Sequence, residues 1–148
     1  MPQSLAKILL HIVFATKYRV HSIPDLVLPS LHAYIAEQCR RMGAEAYRVG
    51  GTGNHIHVAC SLPRTITVAR LLEEIKKASS KWMKARVGGF QWQDGYGVFS
   101  ISTSHIRALI SYIEMQEDHH RRHSFEDEVK GVCIKNNIPY DAVNEFFR

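Results

Sequence analysis

The stretch GNHIHVACS, residues 53–61, organises the rest of the chain. Side chains alternate between the two faces of a β-strand. Ile56 and Val58 therefore share an apolar face, whereas His55 and His57 share the opposite one. Two neutral imidazoles on one open sheet face can form half of a metal site. The same pattern also occurs in ordinary half-exposed strands, so alone it leaves the metal site as a hypothesis.

Patterns on both sides of the histidine strand predict an alternation of strands and helices. Continuous apolar runs indicate strands, apolar residues at helical spacing indicate helices, and a glycine-rich turn before the histidine strand indicates a hairpin. The predicted order is strand, helix, strand, strand, helix, strand and two further helices, over residues 7–16, 24–42, 44–51, 53–61, 66–87, 90–101, 105–119 and 125–136.

This order predicts an α+β fold with a ferredoxin-like (split βαβ) antiparallel sheet, because short connections and right-handed crossovers allow few other arrangements. The histidine strand is expected at the centre, with both long helices on one face. His55 and His57 then face the other side, where an extra C-terminal helix carrying Tyr112 can lie. We expect a single domain over residues 1–148, with a core at 7–122 and a C-terminal helical extension at 123–148.

The composition is that of an ordinary globular protein with a basic balance. Hydrophobic residues make up 45% and charged residues 22% of the 148 residues, and the net charge is +5. No apolar run is long enough to span a membrane, and the N-terminal residues lack the layout of a signal peptide. The three cysteines lie far apart, as expected of reduced thiols. We therefore expect a cytoplasmic, DNA-associated protein, since a basic balance suits a polyanionic partner.

Three groups of residues are candidates for DNA binding. They are a basic loop with an aromatic ring, one face of the second long helix, and a basic run after the third helix. Plain solvation also explains the charges of the loop and of the helix face, whereas contact with DNA is the plainer interpretation of the run after the third helix. The candidates are Lys17, Tyr18, Arg19, Lys77, Lys81, Lys84, His119, His120, Arg121 and Arg122.

The sequence resembles the small single-tyrosine transposases of insertion sequences that move as single-stranded DNA, in the HUH endonuclease superfamily. The repeat-associated tyrosine transposases are close relatives of these prokaryotic enzymes. The matching stretches are residues 11–19, 53–63 with the His-x-His, 92–104, and 112–116 with a Tyr-x-x-x-Gln followed by two histidines.

The resemblance implies a metal-dependent DNA transposase that cleaves and rejoins single-stranded DNA at hairpin-marked ends. His55 and His57 would bind Mg²⁺ or Mn²⁺, with Gln116 as the third ligand. Tyr112 would be the nucleophile, leaving a 5′-phosphotyrosine and a free 3′-hydroxyl. The resemblance also implies a homodimer in which the tyrosine helix serves the histidine pair of the other subunit.

Chemistry agrees with these roles, although other functions stay open. A phenol with a pKa of about 10 is a weak nucleophile at neutral pH unless a metal makes the phosphate electrophilic. The alternatives are a non-catalytic single-strand nucleic-acid-binding relic, a metal hydrolase that uses water, and a zinc-stabilised domain. His11 is expected to be a strand histidine with ordinary hydrogen bonds, or else a neighbour of the metal site. No residue of the sequence identifies itself as a general base.

Overall fold

The computed structural model describes residues 4–120 and 123–148. The elements follow the predicted order, and two 3₁₀ turns at Lys17–Arg19 and Thr103–His105 lie between them. The strands and helices are β1 (Leu9–Ala15), α1 (Leu28–Arg41), β2 (Ala46–Thr52), β3 (His55–Ser61), α2 (Val68–Lys84), β4 (Gly97–Ile101), α3 (Ile106–Glu114), α4 (Gln116–His120), α5 (Phe125–Lys135) and α6 (Tyr140–Phe146).

The four strands form one antiparallel sheet in the order β2-β3-β1-β4. This is the split βαβ arrangement expected from the sequence, and the fold prediction is confirmed. β3 is a central strand, and β1 runs beside it so that Val13 pairs with His57 and Ala15 pairs with His55. On the other side of β3, Gly50 of β2 pairs with His57.

The first face of the sheet packs against α1 and α2 and forms the main hydrophobic core. Alternate residues of β1 and β3 point into it, as the strand pattern predicts. Both helices contribute an apolar stripe to the same core. The fully buried members include Ile12, Phe14, Ile56, Val58, Leu31, Ile35, Leu71, Leu72 and Ile75.

The second face is divided between two sets of helices. Leu109 and Ile113 of α3 pack on Ala59 over the β2–β3 half. The C-terminal helices cover the β1–β4 half, where Phe125, Val129, Cys133 and Val143 pack on Val13, Ala15 and Phe99. The histidine pair of β3 lies where the two sets meet.

The structure differs from the sequence prediction in two helical segments. The helix predicted over residues 105–119 is interrupted at Met115, whose ψ of 14° ends α3, and a separate short helix, α4, begins at Gln116. The predicted tail instead contains α6, which starts after Pro139, a residue whose fixed φ suits the entry to a helix. In residues 4–120 and 123–148, no helix combines the length and apolarity of a membrane span.

Candidate active site

β3 positions both histidines of the His-x-His motif. His55 and His57 point to the second face of the sheet, with ring centroids 5.1 Å apart and 0% exposure. Alternation along the strand puts them on one face, and the β1 residues opposite them are Ala15 and Val13. These small neighbours leave the imidazole edges free to meet side chains from the covering helices.

α3 brings Tyr112 to this pair. The Tyr112 ring centroid lies 5.7 Å from that of His57, in an edge-on arrangement. The next residue, Ile113, is buried against the sheet directly above Gly50 of β2. Because Gly50 has no side chain, α3 can approach the strand closely enough to hold Tyr112 over the histidines.

Gln116 completes the predicted set. Its side chain is buried, and its Oε1 lies 2.9 Å from His55 Nε2. Because the helix ends at Met115, Gln116 is not simply one turn along a continuous helix from Tyr112, and it belongs to α4. The structure therefore brings His55, His57, Tyr112 and Gln116 together within a single chain.

Glu128 of α5 lies at the centre of these residues, and it was not among the residues predicted from the sequence. Its carboxylate accepts hydrogen bonds from Tyr112 Oη and, at 2.9 Å, from Gln116 Nε2. Its other oxygen, Oε1, lies 2.9 Å from His57 Nε2 and 3.1 Å from His120 Nε2. The carboxylate thus joins the nucleophile candidate to the histidine pair.

A pattern in the sequence could have identified Glu128. The buried face of α5 is marked by apolar residues at helical spacing, Phe125, Val129 and Val132. Glu128, three residues after Phe125, lies on the same face. An acidic residue on the buried face of a helix is unusual unless another polar group pairs with it. In the sequence it stands in a run of three acids at the start of a helix, where negative charge is common, and so it was not singled out.

Burial and hydrogen bonding determine the protonation states in the site. Burial opposes ionisation of Glu128, but hydrogen bonds from His120 and His57 hold its pKa well below the ordinary value. Burial, followed by the hydrogen bond to Glu128 and the charge of that carboxylate, raises the pKa of Tyr112. Burial and the neighbouring His57 hold the pKa of His55 well below its ordinary value, so the His55 ring is neutral.

Neighbouring polar groups orient both imidazoles. His11 Nε2 lies 2.8 Å from His57 Nδ1, and burial together with His57 lowers the pKa of His11 to about 3. His11 therefore neighbours the candidate metal site. Asn54 Oδ1 lies 2.8 Å from His55 Nδ1, and the Asn54 amide donates to the backbone oxygen of Arg19.

A cleft of about 550 Å³ opens onto the site from the α3–α5 side. Its lining includes Tyr112, Glu128 and His119, together with His11 and Phe99 from the sheet. The two β3 histidines have no exposed surface and lie behind this lining. The cleft therefore leads to Tyr112, with the β3 histidines behind it.

Four of the predicted DNA-binding residues lie together in a separate groove of about 960 Å³. Lys17, Tyr18, Lys77 and Lys84 line it, with Arg148 from the C terminus. Tyr18 is 71% exposed and has a left-handed backbone conformation, with φ of 58°.

The remaining predicted DNA-binding residues lie elsewhere. Arg19 bonds Gln93 and lies over the ring of Phe147, and Lys81 is not part of the groove lining. His120 is turned into the site, and His119 Nε2 lies 3.4 Å from Glu128. Arg121 and Arg122 lie outside the described residues.

Comparison with known proteins agrees with the fold and the motifs. The crystal structure at 1.90 Å of a candidate transposase from Deinococcus radiodurans R1 superimposes with a TM-score of 0.62 at 25% identity, covering 78% of this chain and 95% of that one. A REP-associated tyrosine transposase bound to a REP hairpin has the same fold, with a TM-score of 0.59 at 18% identity over 81% of this chain and 73% of that one. No curated protein matches the sequence significantly.

The family described as "Transposase IS200 like" matches residues 4–116. The matched segment contains the sheet, α1, α2, α3 and the residues from the His-x-His motif to Gln116, whereas α5 and α6 lie beyond it. The chain therefore belongs to the IS200-like transposase family.

Proposed function

We propose that this transposase is a metal-dependent enzyme that cleaves and rejoins single-stranded DNA at hairpin-marked ends through a 5′-phosphotyrosine intermediate. The observation that carries the proposal is the convergence of Tyr112, His55, His57 and Gln116 from three separate elements on one buried point. A protein that only bound nucleic acid would require none of these side chains there.

The hydrogen-bond pattern around His55 supports a cation in the site. His55 Nδ1 lies 2.8 Å from the acceptor Asn54 Oδ1 and 3.1 Å from Thr52 Oγ1, and in the tautomer with the proton on Nδ1 it donates to Asn54. His55 Nε2 is then an acceptor as well, and it faces the acceptor Gln116 Oε1 at 2.9 Å. The Gln116 amide is oriented by its donation to Glu128. In this tautomer both atoms are free to ligate one divalent ion, so the donor set fits a metal; in the other tautomer His55 Nε2–H donates to Gln116 Oε1.

The proposed chemistry assigns one role to each group. When bound, a divalent ion polarises the scissile phosphate and offsets its charge. Tyr112 Oη attacks phosphorus, so that its oxygen–phosphorus bond forms while the bond from phosphorus to the 3′ oxygen breaks. The phenol loses its proton and the released 3′ oxygen gains one, so the products are a 5′-phosphotyrosine and a 3′-hydroxyl. Attack by a 3′-hydroxyl on the phosphotyrosine reverses the step and rejoins a strand.

The separate basic groove supports recognition of DNA. Lys17, Lys77 and Lys84 supply positive charge along it, and exposed Tyr18 supplies a ring on which a base can stack. One relative of the same fold is a REP-associated transposase bound to a REP hairpin. We therefore propose that a DNA hairpin occupies this groove while the adjoining single strand reaches Tyr112 through the cleft.

The geometry favours an active site completed within one chain. The Tyr112 and His57 rings of the same chain meet edge-on with their centroids 5.7 Å apart, and Gln116 of that chain contacts His55. The family resemblance implies instead a homodimer in which the tyrosine helix serves the histidine pair of the other subunit. Exchange of the tyrosine helix between subunits is not needed to bring the nucleophile to the histidine pair.

The test is a search for a covalent adduct. The protein is mixed with 5′- and 3′-labelled single-stranded hairpin oligonucleotides and Mg²⁺ or Mn²⁺, and the products are run on a denaturing gel. We expect a metal-dependent protein–DNA band that disappears in Tyr112→Phe and His57→Ala and persists in Tyr140→Phe, which changes an exposed tyrosine. Cleavage that survives Tyr112→Phe would instead identify a hydrolase, and binding without reaction would identify a relic.

A further inference from the structure

Glu128 occupies the centre of the site although it lies outside the segment shared with the family. The family match ends at residue 116, and Glu128 is contributed by α5 of the C-terminal extension. Phe125 and Val129 of the same helix are buried against the sheet, and the Glu128 side chain is only 1% exposed. Packing of the helix on the sheet therefore holds this carboxylate inside the site, and it is not a surface charge.

The charge of Glu128 lacks a fixed positive partner. The groups that face it are Tyr112, Gln116 and four imidazoles, those of His55, His57, His119 and His120. Within residues 4–120 and 123–148, no lysine or arginine nitrogen lies within 4.0 Å of its carboxylate. Hydrogen bonds stabilise the ionised carboxylate, and a divalent ion beside Glu128 would supply the fixed positive charge that these partners lack.

The two carboxylate oxygens have different surroundings. Oε2 accepts from Tyr112 and Gln116. Oε1 lies 2.9 Å from His57 Nε2, 3.1 Å from His120 Nε2 and 3.6 Å from His55 Nε2. The ligand atoms of His55, His57 and Glu128 all lie within 4.8 Å of one another. Ligands in adjacent positions of one octahedral ion at about 2.1 Å are separated by about 3 Å. The 2.9 Å between Oε1 and His57 Nε2 matches this separation, whereas the 3.6 Å to His55 Nε2 requires a more open angle at a shared ion.

We propose that Glu128 Oε1 is a fourth protein ligand of the metal, beside His55, His57 and Gln116. This inference rests on the proposed function, which places a divalent ion on the histidine pair. Oε2 remains available to accept the Tyr112 hydrogen bond, so one carboxylate connects the metal to the nucleophile. The C-terminal extension thereby becomes part of the metal site, and a hard oxygen ligand favours Mg²⁺ or Mn²⁺.

The test is calorimetric titration of Mn²⁺ into the full-length protein without DNA. Glu128→Gln keeps the shape of the side chain and removes its charge, and Asp127→Asn makes the same chemical change at an exposed position of the same helix turn. Removing a residue that only hydrogen-bonds to a metal ligand weakens metal binding about 10- to 100-fold. We therefore expect Glu128→Gln to weaken Mn²⁺ binding about 100-fold and Asp127→Asn to leave it unchanged.

Further variants separate this inference from the proposed function. If His57→Ala abolishes Mn²⁺ binding while Glu128→Gln binds as the wild type does, the metal site stands and the role of Glu128 is refuted. Tighter binding by Glu128→Gln also refutes it, because the carboxylate would then be competing with the metal for the histidines. If neither the wild type nor any variant binds Mn²⁺, both proposals fail.

Hydrogen exchange shows whether a variant loses metal binding only because α5 unfolds locally. If Glu128 binds the metal, Mn²⁺ slows amide exchange in α5 of the wild type and of Tyr112→Phe, which loses only the hydrogen bond to Oε2. We expect no such slowing in Glu128→Gln, whose α5 exchange without metal stays close to that of the wild type. An equal Mn²⁺ effect in Glu128→Gln would refute the ligand assignment.

Discussion

Substitution of Gly50 by alanine tests how the fold holds Tyr112 in place. Gly50 lies on β2 opposite His57, and a Cβ built on it would meet Ile113 Cγ2 at 2.6 Å and the Ile113 carbonyl oxygen at 2.9 Å. The carbonyl oxygen belongs to the α3 backbone, so rotation of a side chain cannot relieve the contact. The helix that carries Tyr112 must therefore move away from the sheet.

The size of the effect follows from these distances. Ordinary contact between such atoms begins near 3.5 Å, so α3 must retreat by about 0.5 Å. Overpacking of this kind costs about 1–3 kcal/mol of stability. A misplacement of about 1 Å can cost a hundredfold in rate, so a retreat of half that size is expected to slow Tyr112 adduct formation about tenfold.

Urea unfolding and the rate of adduct formation measure the two effects. Gly88→Ala is the control, because a Cβ at Gly88 has no atom within 4 Å and its free energy of unfolding should change by less than about 0.5 kcal/mol. Wild-type stability together with a wild-type rate in Gly50→Ala would refute the claim that contact between α3 and β2 positions the nucleophile.

Three further predictions concern assembly, pH and DNA binding. An equimolar mixture of Tyr112→Phe and His57→Ala should stay inactive, because each chain completes its own site; restored adduct formation would show that subunits share sites. Burial, with a nearby guanidinium second, lowers the pKa of His32 to about 4. The unfolded chain therefore binds a proton that the folded chain excludes, and stability falls as pH drops from about 6.5 towards 4. Between pH 7 and pH 4.5, the free energy of unfolding in urea should fall by about 2 kcal/mol less in His32→Gln than in the wild type. An equal fall in both proteins would contradict this prediction. The slope of the logarithm of the hairpin binding constant against the logarithm of the salt concentration should become shallower by about one in Lys84→Ala and stay unchanged in Lys81→Ala. Equal slopes in both variants would show that the groove does not bind the DNA.

The sheet and the histidine pair were predictable because the pattern that encodes them is local. Alternation over residues 53–61 assigns His55 and His57 to the face opposite Ile56 and Val58, and burial against α1 and α2 then fixes which face is which. The central position of β3 followed from the order of the elements and the rules for short, right-handed connections. Alternation within a strand depends only on neighbouring residues, which is why it could be recognised in the sequence.

The break at Met115 and the role of Glu128 depend on packing between distant segments. The helical spacing of apolar residues continues across residues 105–119, so the sequence pattern predicts one helix. It does not show that α3 ends before Met115 or that Gln116, in the next helix, contacts His55. Glu128 is 71 residues from its histidine contact, and only the docking of α5 brings it there. Such contacts follow from the packing of whole helices, which the sequence pattern of each helix alone does not determine.

The central claim is that Tyr112 forms a covalent bond to DNA, and peptide mass spectrometry of the adduct tests it most directly. Cleavage after Arg107 and Arg121 releases residues 108–121, in which Tyr112 is the only tyrosine. We predict that this peptide carries the nucleotide at Tyr112 and that the modified form appears only when metal and cleavable DNA are both present. A nucleotide on any other residue, or cleaved DNA with this peptide unmodified throughout the reaction, would contradict the account.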